Sequence, residues 1–222
     1  MISCIIPAYN EEARIKDVIY AVKNSNLVDE IIVISDGSTD KTSEIARACK
    51  PTRVIELPHN IGKGGAIIEG LKYAKGDIIL LADADLRGLN KENLEKLIRP
   101  VLENQADMTI GCNIPFVKKE FSGLRCLKRF LLEPKTQEDF KRLKESKFNI
   151  ENELNHKAKK ENLKVVYVKM EGVRNVHKIK KYGLKEGLKR TIDMYLQLLK
   201  YSLFNKEIFG TLRLRGLDSN QD

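Results

Sequence analysis

Two aspartates, Asp83 and Asp85, follow an apolar run and are separated by one alanine. The run from Asp77 to Ala82 lies between Gly76 and Gly88, which is typical of a buried strand. Carboxylates this close repel each other by about 4 kcal/mol at roughly 4 Å and an effective dielectric of about 20, and a bound divalent cation removes that repulsion. Oxygen ligands suit magnesium, manganese or calcium. Taken alone, so short a motif is more often a strand end with two solvated acids, one of them capping the next helix.

Small and polar residues also follow three other apolar runs of the first half. The run Ser3–Pro7 leads into PAYN at residues 7–10. The run Glu30–Ser35 is followed by DGSTD at 36–40, and Arg53–Leu57 is followed by the glycine-rich PHNIGKGG at 58–65. Right-handed crossovers bring such strand ends to one edge of a parallel sheet, where ligands bind. We therefore expect these residues to line one cleft.

Helical patterns separate these runs, so the first half predicts an α/β fold with a mostly parallel central sheet flanked by helices. We expect Asn10 to cap the first helix, Ser38 or Thr39 to cap the second, and Asn90 to cap a later one that Pro100 interrupts. The second half predicts helices over Gly123–Leu132, over Asn149–Asn162 and from Gly183, and a strand over Lys164–Val168. The predicted boundaries are 1–111 for the first half, 112–205 for the second half of the same domain and 206–222 for a flexible tail.

The net charge of +9 comes from the second half, because the first 100 residues are close to neutral. A basic half suggests an anionic partner, although a solvated basic surface is the alternative. Neither a membrane span nor a signal peptide is expected, and scattered cysteines without a CxxC pair indicate a reduced, cytoplasmic setting. The basic amphipathic helix from Gly183 is compatible with peripheral contact at the inner face of the cell membrane, and packing across the sheet is the alternative.

Four segments in order carry a resemblance to a known family. They are SCIIPAYNEEAR (3–14), IIVISDGSTDKT (31–42), IGKGGAIIEGLKYA (61–74) and GDIILLADADL (76–86). Together they resemble family 2 glycosyltransferases with the GT-A fold. More loosely, FSGLR (121–125), FNIENEL (148–154) and GVRNVHK (172–178) resemble small prokaryotic polyprenyl-phosphate sugar transferases and glucosyl-phosphoglycerate synthases.

The resemblance implies transfer of a sugar from a UDP- or GDP-sugar donor to a hydroxyl or phosphate acceptor, such as an anionic or lipid-linked one. It implies a Mn²⁺ or Mg²⁺ cofactor on Asp85 and His177. Arg87 stands where some polyprenyl-phosphate mannosyltransferases have a metal-binding glutamine, and arginine cannot bind a cation, so either the cation shell differs or Arg87 contacts phosphate. It places Lys63 on the diphosphate and Asp36 on the base or ribose. The donor residues implied are Pro7, Ala8, Tyr9, Glu11, Asp36, Lys63, Asp83 and Ala84.

Acceptor residues implied by the resemblance are Ser122, Gly123 and Arg125. Glu151 is the candidate catalytic base and Glu153 comes next, but residues two apart on a helix face different ways, so only one should reach the cleft. With an ionised phosphate acceptor no base is needed, and Glu151 would hold sugar hydroxyls instead. Whether transfer inverts or retains the anomeric centre stays open, as does the oligomeric state.

Two other functions are alternatives. A sugar-1-phosphate nucleotidyltransferase would have a GxGxR-type loop after the first strand, where this chain has PAYNEE. A basic RNA-binding module would need an aromatic stacking platform, and only 6% of residues are aromatic, so nucleic acid is not an expected partner.

Overall fold

The computed structural model of the chain describes residues 1–112, 122–145 and 150–175, together with Ile192. The chain divides into two units, Met1–Val176 and His177–Asp222, and all the elements below belong to the first. The predicted helix from Gly183, except for Ile192, lies outside the described residues, and so do His177 and the predicted tail from residue 206.

Strands and helices alternate through the first half, as the sequence predicts. The strands are β1 (Ile2–Ala8), β2 (Glu30–Ser35), β3 (Arg53–Glu56), β4 (Ile78–Leu81), β5 (Leu86–Arg87), β6 (Met108–Cys112), β7 (Arg125–Lys128), β8 (Val165–Lys169) and β9 (Arg174–Asn175). The helices are α1 (Ile15–Ser25), α2 (Thr42–Ala48), α3 (Lys63–Leu71), α4 (Lys91–Leu102), α5 (Gln137–Glu145) and α6 (Ile150–Lys160), with a short 3-10 helix at Arg129–Leu131.

Within the described residues, seven strands form one sheet in the order β3-β2-β1-β4-β7-β6-β8. Neighbouring strands are parallel except β7, which runs antiparallel to both β4 and β6. Strands β5 and β9 pair antiparallel in a separate two-stranded ribbon. The predicted mostly parallel α/β sheet is therefore confirmed.

Helices cover both faces of the sheet, which lets the central strands be apolar on both sides. Along β1, Cys4 and Ile6 pack in the layer that contains residues of α1 and α4. Ile5 points the other way and packs with residues of α3 and α6. Each fully buried isoleucine contributes about 1.5–3 kcal/mol relative to an exposed one.

The predicted helix over Gly123–Leu132 is wrong, because this segment contains β7. Cys126 belongs to one core layer and Leu127 to the other, so successive side chains alternate between the two faces as in a strand. This segment forms a strand because it lies between β4 and β6, where its backbone has hydrogen-bond partners on both sides. Tertiary context here overrides the local helical spacing.

Two predicted helix caps are also wrong. Helix α1 starts at Ile15, and Asn10, which has a left-handed φ of 54°, uses its Oδ1 to accept the Thr39 N–H at 2.9 Å. At α2, Asp40 rather than Ser38 or Thr39 accepts the Thr42 N–H, at 3.0 Å.

The predictions for α4 are half right. Asn90 caps this helix by accepting the Asn93 N–H at 2.9 Å, as expected. The predicted interruption at Pro100 is wrong, because the helix continues through this residue to Leu102.

Candidate active site

The carboxyl ends of β1, β2 and β4 meet at one edge of the sheet. Ala8, the last residue of β1, lies opposite Ser35, the last residue of β2. Next to them, the Ala82 N–H donates to the Ile5 carbonyl at 3.2 Å, so the chain leaves β4 at the same edge. The segments that begin at Tyr9, at Asp36 and at Asp83 therefore converge, as the crossover argument predicts.

Asp36 holds the glycine-rich loop in place. Its two carboxylate oxygens accept the N–H groups of Ile61 at 2.7 Å and Gly62 at 2.9 Å, and the residue is 3% exposed. Burial raises the pKa of Asp36, while the two backbone hydrogen bonds act in the opposite direction. Both carboxylate oxygens of Asp36 thus hold the loop in place. This structural role is separate from the predicted contact of Asp36 with the base or ribose.

The loop ends at Gly62, and Lys63 opens α3 instead of lying within the loop as predicted. Gly62 has a φ of 87°, a backbone conformation that glycine adopts without strain. This turn directs the Lys63 side chain towards two carboxylates. Its Nζ forms ion pairs with Asp83 and, at 2.5 Å, with Glu151, which follows 88 residues later in the sequence.

The charge of Lys63 is fixed by these partners. Desolvation of the ammonium group, which is on a side chain only 18% exposed, favours the neutral form. The charges of Asp83 and Glu151 outweigh it and raise the pKa of Lys63 above its ordinary value. Lys63 is therefore a cation at physiological pH and cannot serve as a proton acceptor.

Glu151 reaches this cluster from the first turn of α6, with 9% of its side chain exposed. Glu153 faces another way and pairs with Arg142 at 3.0 Å. The expectation that only one of these two glutamates faces the cleft agrees with this geometry. We call Lys63, Asp83 and Glu151 the lysine triad.

Gly123 lies directly against the lysine triad. A Cβ atom at this position would overlap the Asp83 carboxylate and the Lys63 Nζ. Ser122 precedes it, and its hydroxyl accepts the Leu124 N–H at 3.3 Å. The predicted acceptor segment and the predicted donor residues are therefore in contact within this unit of the fold.

Arg125 is placed differently from the predicted acceptor contact. The residue is 0% exposed, its Nε donates to the Ser122 carbonyl at 2.8 Å, and its Nη1 donates to Asn155 Oδ1 at 2.7 Å. These bonds tie the Ser122 segment to α6, which also carries Glu151. Direct contact with an acceptor would require this buried side chain to become accessible.

The remaining predicted donor residues line the same edge with different exposure. Pro7 and Tyr9 are partly exposed, whereas Ala8 and Ala84 are buried. Glu11 is 4% exposed and pairs with Arg14 at 3.1 Å. The structure thus brings all of them to the strand tips, and their contacts with a nucleotide remain predictions.

Asp83 and Asp85 fit the chemistry of a divalent cation site. Both lie, partly exposed, in the connection between β4 and β5. Among the described residues no group of three His, Cys, Asp or Glu side chains forms a metal cluster, and the predicted ligand His177 lies outside them. One or two carboxylates completed by water and substrate phosphates is the usual Mg²⁺ arrangement, so the two aspartates suffice for it.

The fold resembles that of a solved sugar-transfer enzyme. Glucosyl-3-phosphoglycerate synthase from Mycobacterium tuberculosis, in complex with Mn²⁺, uridine diphosphate and glucosyl-3-phosphoglycerate, superposes with a TM-score of 0.66. The match has 25% sequence identity and covers 79% of this chain and 72% of that one. The GT-A fold predicted from the sequence is thereby confirmed.

The chain belongs to glycosyl transferase family 2, whose family model matches residues 3–159. It is 36% identical over 151 residues to human dolichyl-phosphate beta-glucosyltransferase, covering 59% of this chain and 46% of that protein. It is 34% identical over 148 residues to the UDP-N-acetylglucosamine–dolichyl-phosphate N-acetylglucosaminyltransferase of Methanococcus voltae, covering 58% of each. The chain thus spans about half the length of these relatives.

No helix among the described residues has both the length and the apolar composition needed to cross a membrane.

The sequence predicts every member of the lysine triad as a functional residue, but it does not predict their mutual contact. It places Lys63 at a diphosphate and Glu151 near the acceptor, and nothing in the sequence joins two residues 88 positions apart. The glycine at 123 was the available signal, because a small residue beside predicted functional groups indicates close approach.

Proposed function

We propose that this protein is a metal-dependent glycosyltransferase that moves a sugar from a nucleoside diphosphate donor to a phosphate-bearing acceptor. The observation that carries the proposal is the lysine triad, which sits beside Asp85 at the carboxyl edge of the sheet. The relatives support the acceptor class, because their names specify dolichyl phosphate and the solved neighbour holds a phosphoglycerate product.

Departure of the nucleoside diphosphate builds negative charge, and groups preorganised around that charge lower the barrier. A divalent cation held by Asp85, with Asp83 nearby, would supply Lewis-acid neutralisation of the diphosphate. Lys63 would bring a second positive charge to the same oxygens. Asp36 would keep the glycine-rich loop, and hence the start of α3, in the position from which Lys63 reaches the cleft.

Under this proposal Glu151 has one of two roles, depending on whether the acceptor is a hydroxyl or an ionised phosphate. An acceptor hydroxyl must lose a proton, which a carboxylate at this position would take. An ionised phosphate acceptor has no such proton, and Glu151 would then orient sugar hydroxyls. A lipid-linked phosphate would bring the protein to a membrane surface as a peripheral enzyme.

The test is a donor screen that follows nucleotide release from UDP- and GDP-sugars with Mn²⁺ or Mg²⁺. Phosphoglycerate, a short polyprenyl phosphate and diacylglycerol serve as acceptors. We expect release from at least one donor to depend on the cation and to rise with a phosphate acceptor. Indifference to every donor and both cations would reject the proposal.

Asp85→Ala is the sharpest variant for this screen. We expect it to reduce transfer by at least about a hundredfold, the scale typical for a group that stabilises developing charge. The melting temperature should stay close to that of the wild type, because Asp85 is partly exposed in a turn. Asp17→Ala, on α1, is the matched control for loss of a carboxylate. Turnover retained by Asp85→Ala would count decisively against cation-assisted chemistry at this edge.

A further inference from the structure

The ribbon of β5 and β9 places two arginines side by side immediately after the aspartate pair. In its antiparallel register Arg87 lies opposite Arg174, and Leu86 lies opposite Asn175. Directly opposed residues of an antiparallel pair have Cβ atoms about 4.5–5.5 Å apart and point to the same face. Both guanidinium groups therefore extend from one face of the ribbon.

This face is the one turned away from the core. Leu86 is 3% exposed and packs in the core layer that includes residues of α1 and α4. Successive side chains of a strand point to opposite faces, so Arg87 and its neighbour Arg174 face outward. Both residues are exposed, as this alternation requires.

Two like charges directly opposite each other destabilise a strand pair. Several other arginines in the described part of the chain have a carboxylate partner, as in the pairs of Arg129 with Glu133 and Arg142 with Glu153. No ion pair among the described residues includes the guanidinium of Arg87 or of Arg174. The ribbon thus concentrates positive charge that a bound anion would neutralise.

The ribbon is built to hold this arrangement beside the cleft. Arg87 is two residues from Asp85, a separation that spans at most about 7 Å, which is within reach of an arginine side chain. Gly88, with a φ of 75°, lies so close to the Gly172 carbonyl that a Cβ atom there would overlap it. The two strands therefore approach closely next to the arginine pair.

We propose that Arg87 and Arg174 form a phosphate clamp that binds phosphoryl oxygens of a substrate in this cleft. Guanidinium groups match phosphate oxygens with paired N–H donors, which a single ammonium group cannot do. The clamp rests on the proposed function and deepens it, because it assigns phosphate contacts that the lysine triad does not supply. The phosphoryl group belongs either to the donor diphosphate or to a phosphate monoester on the acceptor.

Calorimetric binding with Mn²⁺ present tests the clamp and separates its two sources. The probes are UDP for the diphosphate, uridine as its phosphate-lacking counterpart, and glycerol 3-phosphate for the monoester. The variants are Arg87→Met, Arg174→Met and the charge-retaining Arg87→Lys and Arg174→Lys. Arg99→Met, an exposed arginine on α4, is the control for loss of one positive charge.

We expect each methionine variant to weaken UDP or glycerol 3-phosphate binding about tenfold, with the lysine variants in between. Uridine binding and the control should match the wild type, and the melting temperatures should not fall, because removing one of two opposed charges relieves their repulsion. Weaker UDP binding assigns the clamp to the donor, and weaker glycerol 3-phosphate binding assigns it to the acceptor.

Unchanged binding of both phosphate probes by the methionine variants would overturn the clamp. An equal loss in Arg99→Met would do the same, since it would show a general charge effect, and so would a wild type that binds neither probe. Weaker phosphate binding together with no sugar transfer from any donor would keep the clamp and reject the proposed function.

Discussion

At the scale of single residues, Lys63 organises the site. Its ammonium group lies between the carboxylates of Asp83 and Glu151 and counteracts the repulsion between their negative charges at the carboxyl edge of the sheet. An ion pair that is mostly buried requires close geometry to compensate for the loss of hydration. The packing around Lys63 therefore matters as much as the charges themselves.

Gly123→Ala tests this packing. The added methyl group would overlap the Lys63 Nζ and the Asp83 carboxylate, so the ion pair must open or the Gly123 segment must shift. We expect a loss of about 1–3 kcal/mol in the free energy of unfolding, as for other overpacked sites. Transfer activity should fall more than tenfold, measured as nucleotide release after correction for the folded fraction.

Gly70→Ala is the control for Gly123→Ala. The atoms nearest to its methyl group would be side-chain atoms of Ile5 and Ile34 in the core, at the far end of the helix that carries Lys63. Its stability can change, but its activity per folded molecule should not. Equal activity in Gly123→Ala and the wild type would show that the triad tolerates displacement.

At the scale of elements, one carboxylate joins the starts of β6 and β8 to the end of the antiparallel strand β7. Asp107 precedes β6, accepts the Lys164 N–H ahead of β8 at 2.9 Å, and pairs with Lys128 of β7 at 3.0 Å. The Lys164 hydrogen bond, assisted by Lys128, holds the pKa of Asp107 below its ordinary value of 3.8. Because the pKa is depressed in the folded state, this stabilisation is present above pH 3.8 and is lost as the pH falls through the folded pKa.

Asp107→Asn should therefore destabilise the protein in a pH-dependent way. We expect a loss of about 1 kcal/mol in the free energy of unfolding at neutral pH, the scale of one hydrogen bond. In urea denaturation the difference from the wild type should shrink as the pH falls below 3.8. Glu138→Gln, exposed on α5, should change little at either pH, and a pH-independent effect of Asp107→Asn would contradict the assignment.

In the second half of the chain, the local sequence pattern predicts one element correctly and another incorrectly. Helix α6 follows its sequence pattern, because Ile150, Leu154 and Ala158 recur at helical spacing and are all buried. Strand β7 does not, because its residues satisfy helical spacing as well as alternation. Backbone pairing with β4 on one side and β6 on the other stabilises the extended conformation of this segment. The local sequence of the segment does not indicate that these two partners are available.

At the scale of the whole molecule, ligand binding should increase the free energy of unfolding. A ligand at about 100 times its dissociation constant stabilises a folded protein by roughly 2.7 kcal/mol. We expect UDP with Mn²⁺ to raise the melting temperature more than Mn²⁺ or UDP alone. Single-stranded RNA of matched phosphate content is the control, and stabilisation by RNA alone, insensitive to the cation, would favour a nucleic-acid-binding module instead.

The sequence by itself determined the alternating α/β order, the sheet edge and the identity of most candidate residues. These depend on hydrophobic periodicity and on which residue types follow each strand, and both are local properties. The tertiary structure alone decided that Lys63 joins Asp83 to Glu151, that Arg125 is buried, and that Arg87 lies opposite Arg174. Contacts between segments far apart in the chain depend on how the elements pack, and that information is carried by no single stretch of sequence.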